Sequence, residues 1–432
     1  MDSSPMTSLP LFSKVSSLIA PQAFWWSTGI EDTFITEPWP STGRILDEYE
    51  LTGHYARWSD DLALVAALGV KTVRYGIPWH HVEPERGQWD WSFPDKALGR
   101  LIDLRIDPIV DLVHYGLPPW LKGAYLNPEY PDRVAEYASR LAARFQGRIF
   151  WYTPLNEPRI TAWYCGRLGW WPPFRRGWSG FIEIMMAIAR GIVRTVQAFR
   201  ATDPDILPVH VDATDLYETR DPALTDEVER RQEIVFLALD LVSGRVGHEH
   251  RLWPWLLKHG AREEDLAWFQ ENAVDLPFIG LNLYPMFTKK RLQREARGRF
   301  RIRQPYASGD LVAQLGRLYH ARYKSPLFVS ETASVGSVAK RQRWMDDSIA
   351  SVRQLRSEGV PMVGYTWWPM FDMVAWAYRQ GTKKPADYFA AMGLWDLNPA
   401  TLDRTPTPLV SSYQTYVAGG ASAVGPLNFV AR

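Results

Sequence analysis

The sequence predicts an α/β protein folded as a single (β/α)8 TIM barrel, and three observations carry that expectation. Eight short apolar runs, rich in β-branched and aromatic residues, recur along the chain between Pro, Gly or polar turns, as strands buried on both faces do. Stretches with helical spacing separate most of them. No short repeat, low-complexity tract or Gly/Ser-rich linker divides the 432 residues, so one large domain is the simplest account.

In chain order, strands are expected at residues 24–30, 70–79, 108–115, 149–155, 207–213, 277–284, 326–331 and 360–368. Helical periodicity lies between them at Trp58, Leu62, Val65 and Leu68, at Leu98, Leu101 and Ile102, and at Ile184, Ile188, Ile192 and Val196. Residues 1–20 read as an N-terminal arm ahead of a barrel that fills 21–432. The densest charge run, residues 289–303, carries eight basic residues and one acid, Glu295. It follows the sixth strand directly, which in a barrel is the face where substrates bind. It also reads as a solvated loop or a contact with another subunit.

Composition narrows the function classes. Hydrophobic residues at 46% and charged residues at 22% exclude a disordered chain. Lys+Arg 49 against Asp+Glu 48 leaves a net charge of +1, so no global field draws the chain to nucleic acid or an anionic membrane. The single cysteine, Cys165, forbids an internal disulfide and a Cys-rich zinc site. The first 21 residues lack a basic stretch followed by a long apolar run, and no later segment reaches the ~20 apolar residues of a span. A soluble, cytoplasmic protein with no membrane partner is expected. The 21 Trp, 19 Tyr and 18 Phe suit the apolar faces of sugar rings, and serve equally as core filler.

In a barrel the C-terminal ends of the strands converge on one pocket. The fourth ends in Thr153-Pro154-Leu155-Asn156-Glu157-Pro158 and the seventh in Phe328-Val329-Ser330-Glu331. Two carboxyl groups across a pocket are the minimum equipment for cleaving an acetal: one protonates the leaving oxygen, the other attacks the anomeric carbon or activates water. Either glutamate alone also reads as half of an ion pair, with Arg74 for example.

With those residues in hand, the chain from Phe24 to about Tyr416 resembles glycoside hydrolase family 1, the retaining β-glucosidase family, as a divergent member. DDLALVAALGVKTVRYGIPW (60–79) resembles the family's second helix and strand, with Arg74 at its active-site arginine. VHYGLP (113–118) resembles the third-strand motif, with Tyr115 in place of the usual tryptophan. TPLNEP (153–158) resembles the acid/base motif, FIGLNLY (278–284) the sixth-strand motif, and SETA (330–333) the nucleophile motif without its Asn-Gly. Residues 365–376 and 392–416 resemble the eighth-strand and C-terminal segments.

The resemblance implies Glu331 as nucleophile and Glu157 as acid/base, with Arg74 and Tyr284 supporting the nucleophile. It implies substrate contacts from Glu31, His114, Tyr115, Asn156, Asn282, Trp368 and Trp376, no cofactor, no metal, and a small-molecule glycoside or oligosaccharide as substrate. Two departures stand out. Gly29 occupies the position of a first-strand glutamine that binds two sugar hydroxyls, and Ala375 that of a glutamate before Trp376. Both contacts are missing, so glycone recognition is expected to differ from the family norm, with Glu31, Asp32, Asp372 and Arg379 as candidate replacements. Transglycosylation through the same covalent intermediate is an alternative to hydrolysis. A barrel metallohydrolase, using His210 and Asp212 or His248, Glu249 and His250, is a weaker one, since the first strand lacks His-x-His. His80 and His81 read as surface residues.

Overall fold

The computed structural model describes residues 20–295 and 299–427. The expected arm therefore lies outside the described residues, apart from Ala20. The barrel strands are β1 (Trp25–Ile30), β2 (Thr72–Gly76), β3 (Asp107–Asp111), β4 (Trp151–Thr153), β5 (Leu207–Ala213), β6 (Phe278–Asn282), β7 (Leu327–Glu331) and β8 (Met362–Trp367). Each pairs in parallel with its sequence neighbours, and β8 closes on β1. Every strand falls within one of the eight runs, to within a residue. Most runs overshoot at the C-terminal end, so His114, Tyr115, Glu157, Tyr284 and Trp368 stand just past the last paired residue. That is the end where loop residues are free to face a cavity.

The helices are α1 (His54–Leu68), α2 (Ser92–Asp103), α3 (Tyr130–Arg144), α4 (Gly177–Thr202), α5 (Thr225–Val242), α6 (Asp310–Tyr323), α7 (Val338–Ser357) and α8 (Pro408–Gly419). The periodic residues face inward as their spacing requires: Leu62, Val65 and Leu68 of α1 are buried, as are Ile184, Ile188, Ile192 and Val196 of α4.

The N-terminal end of the barrel is filled by aromatic rings. Trp25 lies 5.6 Å from Trp151, 5.9 Å from Phe278 and 5.7 Å from Phe328, centroid to centroid. A Cβ on Gly364 would stand 2.1 Å from Trp25 Nε1, so β8 needs a glycine for the indole to enter. With this end filled, the polar groups inside the barrel gather at the other.

Most of the described part of the basic run is strand. Lys289–Arg294 pairs antiparallel with Phe300–Arg303 and parallel with Leu216–Thr219, forming a three-stranded sheet beside the barrel mouth. Acids on the partner segment pair with part of the run. Lys289 and Arg291 sit on Glu218 at 3.1 Å and 2.5 Å, and Arg294 on Asp221 at 2.7 Å. Arg297 lies outside the described residues. Among the described residues no helix is long and apolar enough to cross a membrane.

Candidate active site

Glu157 and Glu331 are set by backbone, before any side chain is considered. The amide of Asn156 donates to Val113 O and that of Glu157 to Val211 O, so this dipeptide is pinned between the segments of β3 and β5. Glu157 adopts φ +47°, a left-handed conformation costly for a residue with a Cβ, immediately before a short helix that opens on Pro158. Glu331 ends β7, where the register against β6 shifts between Val329 and Glu331. Such irregularities re-aim a side chain.

Arg74 organises the floor. Its fully buried guanidinium donates from Nη1 to Glu331 Oε1 at 2.7 Å, and from Nη2 to Asp111 Oδ2 at 3.1 Å and Asn156 Oδ1 at 3.2 Å. Glu31 Oε1 stands 2.6 Å from the same Nη1. The second oxygen of Glu331 accepts from Tyr284 OH at 2.7 Å. One cation thus faces three carboxyl groups. Burial, opposed by Arg74 and reinforced by Glu331, Asp111 and Asp32, pushes the Glu31 carboxyl well above the usual range.

Glu157 has a different environment. Asn282 Nδ2 donates to its Oε1 at 2.9 Å, and Tyr115 OH donates to its Oε2. Burial and the charge of Glu331 push its carboxyl up to about 8, against those two hydrogen bonds and the charge of Arg159. Asn282 is held in turn by Ser330 Oγ at 2.6 Å, and Asn156 Nδ2 approaches His114 Nε2 at 3.2 Å.

A cavity of about 520 Å³, within the range of small-molecule sites, brings together Glu157, Glu331, Tyr284, His114, Tyr115, Asn282, Trp368 and Trp376. Ala375 also lines it. Two expected substrate contacts do not line it. Glu31 and Asn156 are fully buried behind the surface and act on the cavity through Arg74, His114 and Tyr115. Tyr115 lines the wall, but its hydroxyl is engaged with Glu157. Trp376 packs its ring 5.5 Å from Tyr115 and donates to Thr33 Oγ1 at 2.9 Å.

The space left by the missing glutamine is filled. A Cβ on Gly29 would stand 2.4 Å from Trp368 Cδ1 and 2.5 Å from Glu31 Oε2. Of the candidate replacements, Asp372 accepts three backbone amides, from Met392, Gly393 and Leu397, and Arg379 donates to the carbonyls of Glu37 and Trp170. Both are spent on the scaffold. Asp32 is buried, and burial, opposed by the His114 ring, pushes its carboxyl up to about 7.

Two of the histidines weighed as metal ligands have carboxylate partners, and the third, His248, packs its ring on Trp253. His210 Nε2 lies 3.4 Å from Asp212, and His250 Nε2 lies 3.2 Å from Asp240, a carboxylate that Arg322 also occupies. His80 is not a free surface residue: its ring bonds Asp47 at 3.1 Å, with His81 at 3.7 Å from the same oxygen.

Sequence reasoning missed Asp111, Ser330, Arg159 and Asp215. Asp111 links Arg74 to His114 Nδ1 at 3.1 Å. Its signal was a carboxylate inside an otherwise apolar strand run. Arg159 and Asp215 form a buried pair at 3.1 Å in the cavity wall beside Glu157, and nothing in their local sequence marks them.

Comparison with known proteins agrees with this geometry. The model described as Glycosyl hydrolase family 1 matches residues 27–245. β-Glucosidase A of Thermotoga maritima is 25% identical over 367 residues, 75% of this chain and 79% of that protein. Aryl-phospho-β-D-glucosidase BglH of Bacillus subtilis is 23% identical over 366 residues, 74% and 76% respectively. A solved structure of the family 1 β-glucosidase from Thermotoga maritima superposes with a TM-score of 0.78 at 20% identity, covering 93% of this chain and 98% of that one. The barrel, the two strand-end glutamates around one cavity and these likenesses lead to one assignment: the chain belongs to glycosyl hydrolase family 1 and is a β-glucosidase-like glycoside hydrolase.

Proposed function

We propose that the chain hydrolyses β-O-glycosides with retention, through a covalent glycosyl-enzyme, with Glu331 as nucleophile and Glu157 as acid/base. The observation that carries this reading is the asymmetry of two acids in one cavity. Both oxygens of Glu331 accept from fixed donors, Arg74 and Tyr284, while Glu157 is pushed up to about 8. A Glu331 oxygen attacks the anomeric carbon, the bond to the leaving oxygen breaks, and the Glu157 proton passes to that oxygen. Esterification removes the Glu331 charge, one of the two causes that raise Glu157. Glu157, left as a carboxylate when its proton went to the leaving oxygen, takes a proton from water as the water oxygen attacks the same carbon and frees Glu331.

The test is hydrolysis of aryl β-glucosides, galactosides, fucosides, xylosides, glucuronides and 6-phosphoglycosides, followed by NMR from the first turnover. The β-anomer is expected to form first; an α-anomer would show inversion, and no turnover of any member would sink the reading. Because Gly29 and Ala375 offer no side-chain donor or acceptor, the unmodified glucoside is not expected to be the best of the panel. A glucoside optimum would overturn that part alone.

Tyr115 gives a pH prediction. Its hydrogen bond favours the ionised form of Glu157, so Tyr115→Phe raises the Glu157 pKa. Activity needs the protonated form and is lost as pH rises through that value. The alkaline limb of kcat/KM is therefore expected to move up by about one pH unit. A limb that stays in place or moves down contradicts the contact.

A further inference from the structure

Around the reacting acids, the cavity is also lined by the helical segments after Glu157, the turn after β6 and the small sheet, and this part is called its mouth. Ile160, Trp163, Tyr217, Met286, Phe287 and Ile302 line it, and Phe287 is 53% exposed. A large ring left open at a cavity mouth is an apolar surface without its partner. The charged groups in this wall are unevenly used. Arg159 is committed to Asp215 and to the carbonyl of Ala213. Lys290 is mostly buried, and Asp215, its nearest acid, is 3.9 Å away, too far for a hydrogen bond. Among the described residues its ammonium has no hydrogen-bond acceptor. Arg159, Asp215 and Lys290 together leave one positive charge in the wall on the Glu157 side, where a leaving group departs.

We propose that this mouth binds a bulky apolar leaving group bearing an acidic substituent, whose anion pairs with Lys290 while its body packs on Phe287, Met286 and Ile302. The inference rests on the proposed function, since it is Glu157 that defines the leaving-group side. Burial and the neighbouring Arg159 lower the Lys290 pKa and Asp215 partly offsets them, which accords with a cation partly withdrawn from water beside another cation. A second sugar makes a poorer fit against Ile160, Met286, Phe287 and Ile302, whose side chains offer its hydroxyls no donor or acceptor.

Binding tests this independently of turnover. The probes are 6-hydroxy-2-naphthoate and its methyl ester, titrated into the full chain with tryptophan quenching or calorimetry as readout. Both are expected to bind, the acid more tightly. Lys290→Met is expected to weaken the acid by about tenfold and leave the ester unchanged, whereas Phe287→Ser weakens both by about three- to tenfold. Equal responses of acid and ester to Lys290→Met, or no binding of either at millimolar concentration, would overturn the proposal. Kinetics separate it from the underlying reading: with aryl glycosides of the same acid and ester, failure of every substrate refutes the glycosidase reaction. Turnover with a Lys290→Met effect equal for acid and ester refutes only this inference.

Discussion

Glu331→Ala is expected to lower turnover by about 10⁴-fold or more, and azide is expected to restore it with a glycosyl azide of inverted configuration. The variant should fold, because Arg74 keeps Glu31 and Asp111 as partners and only the Tyr284 hydroxyl loses its acceptor. The space vacated by the carboxylate lies on the face from which the first attack comes, so a small anion placed there gives the α-azide in a single displacement. The same anion replacing water in Glu157→Ala attacks the glycosyl-enzyme and gives the β-azide. These opposite products distinguish the two glutamates by role, which loss of activity alone does not do. Near-normal activity of Glu331→Ala would remove it from the reaction.

Arg74→Met is expected to cost about 3–5 kcal/mol of stability as well as activity, a fall in Tm on the order of 5 °C. Its guanidinium is the shared cation for Glu331, Asp111 and Glu31, all buried, and a thioether of similar length leaves them facing one another. Carboxyl groups deprived of that cation have raised folded-state pKa values, so the native state binds more protons than the unfolded one and the deficit shrinks as pH falls. Glu31→Gln in the Arg74→Met background should recover part of the loss by removing one acid. The measurement is thermal denaturation of the three proteins between pH 5 and 8. A deficit that grows toward low pH would contradict the charge argument.

The strands and the two glutamates were legible in the sequence because both are local properties. An apolar run bounded by turns announces a buried strand, and Glu157 and Glu331 stand at or just past the ends of theirs, where the barrel opens. What was not legible depends on side-chain direction or on partners distant in sequence. Glu31 follows the first strand as a substrate contact should, yet its carboxyl turns back under Gly29 to Arg74. Asn156 neighbours Glu157 but points into the floor, where Arg74 and Asn282 hold it. The basic run looked like a solvated loop until Arg291 met Glu218, 73 residues away, and the strand that carries Glu218 gave it a sheet to join. Tyr115 read as a substrate contact in place of a tryptophan, and the structure turns its hydroxyl to Glu157 as a hydrogen-bond donor.

The small sheet has a consequence for how the molecule can change. Glu157, Glu331, Arg74 and Tyr284 are fixed by the barrel strands or the turns that leave them. Tyr217, Lys290 and Ile302 belong to strands that share no ladder with the barrel. On the proposed reading, the reaction belongs to the barrel, and part of the leaving-group wall belongs to a separate sheet joined to it at only a few chain crossings. Under that proposal, grafting another segment between Thr288 and Gln304 is expected to change leaving-group selectivity while the bond-breaking residues stay in place. New substrates are reachable by replacing a part, without redesigning the whole.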